Sequence, residues 1–128
     1  MNDFITQVIY WQHKFGLDNW KIIVKEDKIT PDDTIQTAGA KTIADPRYHV
    51  ATISVYPNTL ARREVWHETI IHELIHVVMS QYDMYVDNFT DFAKIPVKNA
   101  DELFFCARES GVSELTSILM RLIEWGDE

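Results

Sequence analysis

The spacing of apolar positions divides the chain into recognisable elements. In residues 2–15, Ile5, Val8, Ile9, Gln12 and Phe15 recur at helical intervals, and Asn2 stands where a cap belongs. Gly16 suits the left-handed residue that ends a helix, with Leu17 as the apolar contact behind it. Trp11 and His13 fall off this stripe. From Trp20 to Lys25 the period changes to two: Trp20, Ile22 and Val24 alternate with Lys21, Ile23 and Lys25, which predicts a strand. Residues 26–34 are charged, contain Pro31 and read as a loop. Gln36–Ala44 and Val50–Tyr56 then predict a β-hairpin joined through residues 45–49, with Pro57 as its stop. Gly39 marks either a bulge or a close approach of other atoms.

A second helix is predicted from Thr59 or Leu60 to Tyr82, capped by Asn58 or Thr59. Residues 83–98 read as a long connection. Its Tyr85, Phe89 and Phe92 are suited either to line a substrate pocket or to plug the core beneath. The last helix is predicted over Ala100–Trp125. Asn99 and Glu102 form a capping-box pair, and Phe105, Val112, Leu115, Leu119 and Leu122 supply the apolar stripe. The expected fold class is therefore α+β: a small, mostly antiparallel sheet of about three strands against three helices. It fills a single domain, residues 1–128.

Composition narrows the function. A hydrophobic share of 46%, with 12% aromatic, suffices for a core. The lone Cys106 excludes a disulfide framework and a cysteine zinc ribbon, and reads as a small buried helix residue. The N-terminus lacks a basic stretch followed by an apolar run, and no apolar stretch is long enough to span a bilayer. The expected location is cytoplasmic. A formal charge of −8 without a basic run argues against nucleic-acid binding by the domain itself.

The chemistry is concentrated in His72-Glu73-Leu74-Ile75-His76, an H-E-x-x-H pattern. On a helix, residues four apart stand one turn above each other, so both imidazoles can reach one metal ion. Glu73 is rotated by about 100° from His72 and points beside that metal, where a general base takes a proton from water. The surrounding residues, Ile70 to Met79, are apolar nearly all round and predict a buried helix. Two histidines and a glutamate there would be costly without a partner, and a metal supplies one. Val65, Glu68 and Thr69 share the histidine face, whereas His67 is turned about 140° away.

A catalytic zinc site usually takes three protein ligands and leaves one position open. Of the carboxylates on the last helix, Asp101 and Glu102 suit the helix N-terminus and Glu124 lies in the last turn. Glu109 lies three before Val112 and four after Phe105, on the apolar stripe, where a carboxylate needs something to bind. Glu114 lies on the flank. Glu109 is therefore preferred to Glu114 as third ligand, and His49 is a lesser candidate. Either glutamate could instead be a surface carboxylate paired with Arg108, Arg121 or solvent.

The order of these pieces resembles a known family. A strand with Trp20-Lys21-Ile22, a hairpin ending Ile53-Ser54-Val55-Tyr56-Pro57, the motif helix, and a helix with residues 109–115 together look like the minimal zincin metallopeptidases of prophage and bacterial origin. The chain is also similar to the core of SprT-like proteases, although it has no histidine after His76 and no second cysteine. It looks more loosely like prophage regulators of the ImmA/IrrE type. The resemblance implies Zn²⁺ held by His72, His76 and Glu109, with Glu73 as the catalytic glutamate. It also implies a protein or peptide substrate, paired as an extended strand along Val50–Tyr56 acting as an edge. The resulting expectation is a zinc-dependent peptidase. The alternative is a metal-stabilised regulatory or binding module without turnover, such as a prophage regulator or a non-catalytic phage protein. His49, Tyr48, Tyr82 and Tyr85 are candidate donors to the oxyanion.

Overall fold

The computed structural model describes residues 1–28, 39–93 and 100–126. In chain order it contains helix α1 (Asn2–Lys14), strands β1 (Lys21–Glu26), β2 (Ala40–Asp45) and β3 (Val50–Val55), a short helix α2 (Pro57–Leu60), a 3₁₀ turn (Arg63–Val65), and two long helices, α3 (Trp66–Ala93) and α4 (Ala100–Gly126). The class is α+β, as the periodicity predicts. No helix among the described residues is long and apolar enough to cross a membrane.

The sheet departs from expectation in two ways. Its order is β1-β3-β2, so among the described residues the hairpin strand β3 is central and both of its neighbours are edges. It is also mixed: β2 pairs antiparallel to β3, but β1 pairs parallel to it, in register Lys21↔Val50 through Glu26↔Val55. A parallel pair needs a crossover long enough to return the chain to the same end. The chain between β1 and β3 is 23 residues long, 27–49, and carries β2 within it. The idea that Val50–Tyr56 is a free edge for substrate is thereby overturned, because β3 is hydrogen-bonded on both sides. Its composition explains the placement: Ala51, Ile53 and Val55 are fully buried.

The inward stripe of helix α1 keeps Val8 and Phe15 of the predicted one but is shifted to take in Phe4 and Trp11 and to leave Ile9 outside. Phe4 and Val8 are fully buried, Trp11 and Phe15 pack against the core, and Ile9 is exposed. Positions 4, 8, 11 and 15 satisfy helical spacing as well as the predicted set does, and they bury larger aromatic surface. Phe4 meets Trp66 edge to face at 5.3 Å. Asn2 lies inside the helix and makes no side-chain cap; its carbonyl accepts from Thr6 Oγ1. Gly16 does take the left-handed conformation, with φ 70°, while the Leu17 amide donates to the Gln12 carbonyl. Gln12 belongs to the same turn: its amide donates to the Leu17 and Trp20 carbonyls, which explains a polar residue on the inner side.

The predicted helix from residue 59 is interrupted. Pro57 starts α2, the chain bends at Arg62 (φ −118°, ψ 86°), and α3 begins only at Trp66. The buried indole of Trp66 donates to the Thr59 carbonyl at 2.9 Å, tying α2 to the start of α3. Val65 consequently lies in the 3₁₀ turn and not on the helical face of His72. Gly39 resolves as a close approach: a β-carbon there would lie 3.0 Å from Thr59 Oγ1 and 3.2 Å from Thr69 Oγ1.

Helix α3 continues to Ala93, so the first part of the predicted 83–98 connection is helical. Residues 83–93 contain neither Gly nor Pro, and the first breaker is Pro96. The roles considered for the side chains of Tyr85, Phe89 and Phe92, and the Asn99–Glu102 cap, fall outside the described residues. Two apolar clusters hold α3 in place. One joins Ile70, Leu74 and Val77 to α1 and the sheet. The other joins Ile71 and Ile75 to Val112 of α4, with Met79, Leu119 and Met120 against it.

Candidate metal centre

The two clusters determine where the motif points. Each residue of a helix turns by about 100°. With Ile70, Leu74 and Val77 facing the sheet and α1, and Ile71 and Ile75 facing α4, His72 and His76 are left on the stripe between β2 and α4. Glu73 turns toward β2. Both imidazoles are partly buried, and their ring centres are 5.0 Å apart.

Helix α4 supplies the third group. Its inner face runs Glu109, Val112, Thr116, Leu119, close to the predicted stripe. Leu115 is exposed, however, and Thr116 is buried with its hydroxyl donating to the Val112 carbonyl at 2.7 Å. Glu109 Oε1 lies 3.2 Å from His76 Nε2, and Glu109 Oε2 lies 3.6 Å from His72 Nε2. One ligand atom from each of the three residues falls within 4.8 Å of the others, a grouping able to hold a metal ion. Two imidazole nitrogens and one carboxylate oxygen suit zinc. Beside them, Arg108 pairs with Asp83 at 3.7 Å and links α4 to α3.

The other candidates are elsewhere. Glu114 is exposed and His67 is an exposed residue edge-on to Trp11. His49, at φ 53°, stacks on Trp20 with ring centres 4.9 Å apart, and its Nδ1 lies 3.2 Å from Asn19 Nδ2. Tyr48 and Tyr82 are exposed. None of these belongs to the metal-capable group found among the described residues.

Glu73 is only 4% exposed, and Thr42 on β2 donates its hydroxyl to Glu73 Oε2 at 2.7 Å. Burial pushes the Glu73 carboxyl up to about 7; the Thr42 hydrogen bond pulls against this and the Glu109 charge adds to it. Burial likewise pushes His76 down, against the pull of Glu109, with His72 and Arg108 lowering it further. A depressed histidine is neutral at physiological pH, the form that binds metal. Thr42 is the one member of this constellation that sequence reasoning missed. It sits 31 positions before Glu73 on an ordinary strand, and no local pattern distinguishes it.

The Glu73 shift has a measurable consequence for the metal-free protein. An unfolded glutamate ionises near 4.5, whereas the folded one holds its proton to about 7. Between these values Glu73 makes the folded state bind more protons, so its contribution to stability falls as pH rises through the window and is level above it, whereas the depressed His76 contributes a slope of the opposite sign. The loss is about 3 kcal/mol. Urea unfolding in a chelator should show this slope in the difference between wild type and Glu73→Gln. An equal slope in both proteins would remove Glu73 as its source.

A scan against protein-family models and searches of curated proteins and of solved structures find no match to this chain.

Proposed function

We propose that the chain is a small zinc-dependent peptidase of the H-E-x-x-H zincin type, acting on protein or peptide substrates in the cytoplasm. The observation that carries this reading is the convergence of His72, His76 and Glu109 beside a buried glutamate whose carboxyl is raised to about 7. His72, His76 and Glu109 would hold the ion. Zinc in such a set supplies Lewis acidity, acidifying a water and polarising a carbonyl oxygen. Glu73 accepts a proton from the attacking water as the new C–O bond forms. It then passes that proton to the amine nitrogen as the C–N bond breaks. A general base with a pKa near neutrality is matched to both transfers.

Strand pairing with an extended substrate falls to β2 rather than β3. Among the described residues β2 pairs only with β3, and Thr42 connects it directly to Glu73. The rival reading is a metal-stabilised regulatory module without turnover. It requires a closed site, with a fourth protein ligand on the metal. It leaves a buried, proton-holding Glu73 beside the ligands without a task. The test is incubation of the zinc-loaded protein with a broad peptide library. Chelator-sensitive cleavage supports the peptidase; stoichiometric zinc without any product supports the regulatory module.

A further inference from the structure

The Thr42 hydroxyl does more than fill a strand position. Ala40, Thr42 and Ala44 form the inward side of β2, facing α3, and the first is buried while the other two are half-buried. Valine would occupy the middle position with nearly the same shape and at least equal strand preference. What threonine adds is one donor, and that donor is spent on Glu73 Oε2. A carboxylate in so buried a place is costly to leave without hydrogen bonds. Among the described residues Glu73 Oε1 has no side-chain partner, so the contact from β2 divides the two oxygens unequally.

We propose that Thr42 is a positioning residue: by anchoring Oε2 from the sheet it fixes the carboxylate plane of Glu73 and leaves Oε1 to take the proton from water. This inference rests on the peptidase reading above, but the contact itself can be tested without activity. The geometry places the two residues on different elements, so the bond also makes the orientation of the base dependent on the docking of β2 against α3. A substrate strand paired along the outer edge of β2 would press on the element that holds the base.

The test combines a double-mutant cycle with kinetics. Thr42→Val and Thr42→Ser are made in the full chain, alone and with Glu73→Met, which has similar length and no carboxylate acceptor. In metal-free protein at pH 8, Thr42→Val is expected to lower the melting temperature by several degrees when Glu73 is intact. In the Glu73→Met background the same change should cost much less. Zn²⁺ titration should give one equivalent bound in both Thr42 variants, since neither touches a ligand. On a cleaved peptide, Thr42→Val should lose about tenfold in kcat with KM little changed, and Thr42→Ser should recover most of it. Additive melting shifts in the cycle, or full kcat in Thr42→Val, would overturn the proposal. If the cycle shows coupling while the wild-type protein cleaves nothing, the contact stands and the peptidase reading falls.

Discussion

Glu73→Gln is expected to retain one zinc per chain and to lower kcat by a factor on the order of 10² to 10⁴. Glu73 is turned away from the ligand stripe, toward β2, so its loss removes no donor from the His72–His76–Glu109 group. Glutamine has the same shape and can still accept the Thr42 hydroxyl, so the local packing survives. What disappears is the capacity to hold a proton. Zinc content by elemental analysis and turnover on a cleaved peptide separate these effects. Wild-type turnover in the variant would take the general-base role from Glu73.

The second large effect is at Glu109. Replacing it by alanine removes one of three donors and leaves the two histidines as the only ligands in the group. Zinc affinity should fall by roughly 100-fold or more in Glu109→Ala. Glu114→Ala should be indistinguishable from wild type, because Glu114 is exposed and outside the group. Competition with a chromogenic chelator reads both constants. Equal affinity in wild type and Glu109→Ala would move the third ligand elsewhere. The folded state should survive either change, since Glu109 is partly exposed and the inner face of α4 is carried by Val112 and Thr116.

These expectations depend on features with very different visibility in the sequence. The pairing of His72 with His76 is local: one turn of helix determines it. Glu109 is visible because a carboxylate three residues before a core valine contradicts its surroundings. Thr42 carries no such contradiction, since its meaning depends on the stacking of β2 on α3. Strand order is likewise a tertiary property. The alternation of residues 50–55 predicts a strand but does not say whether it has one neighbour or two; the complete burial of Ala51, Ile53 and Val55 goes with a central position. The break between α2 and α3 is hidden for another reason. Ala61-Arg62-Arg63-Glu64 are good helix formers, and the interruption accompanies the docking of the Trp66 indole on the Thr59 carbonyl. In α1, two stripes that share Val8 and Phe15 both fit a helix, and the larger aromatic surface of Phe4 and Trp11 goes inward.

The ligands and the base are held from different sides of α3. The three side chains of the metal-capable group come from α3 and α4, which pack through Ile71, Ile75 and Val112 with Trp11 and Phe15 of α1 against them. Glu73 is conditioned chiefly from the other side, by burial and by Thr42, with a smaller contribution from the Glu109 charge. On the proposed reading this separation is why Glu73→Gln and Glu109→Ala are expected to fail differently.

X-ray absorption at the zinc edge on the metal-loaded wild-type protein reads the proposed His72–His76–Glu109 centre without recourse to activity. The expected spectrum has nitrogen and oxygen neighbours at about 2.0–2.2 Å, with outer scattering from two imidazoles and none from sulfur. A spectrum with three or more imidazoles, with a sulfur neighbour at about 2.3 Å, or with only water around the ion would contradict it.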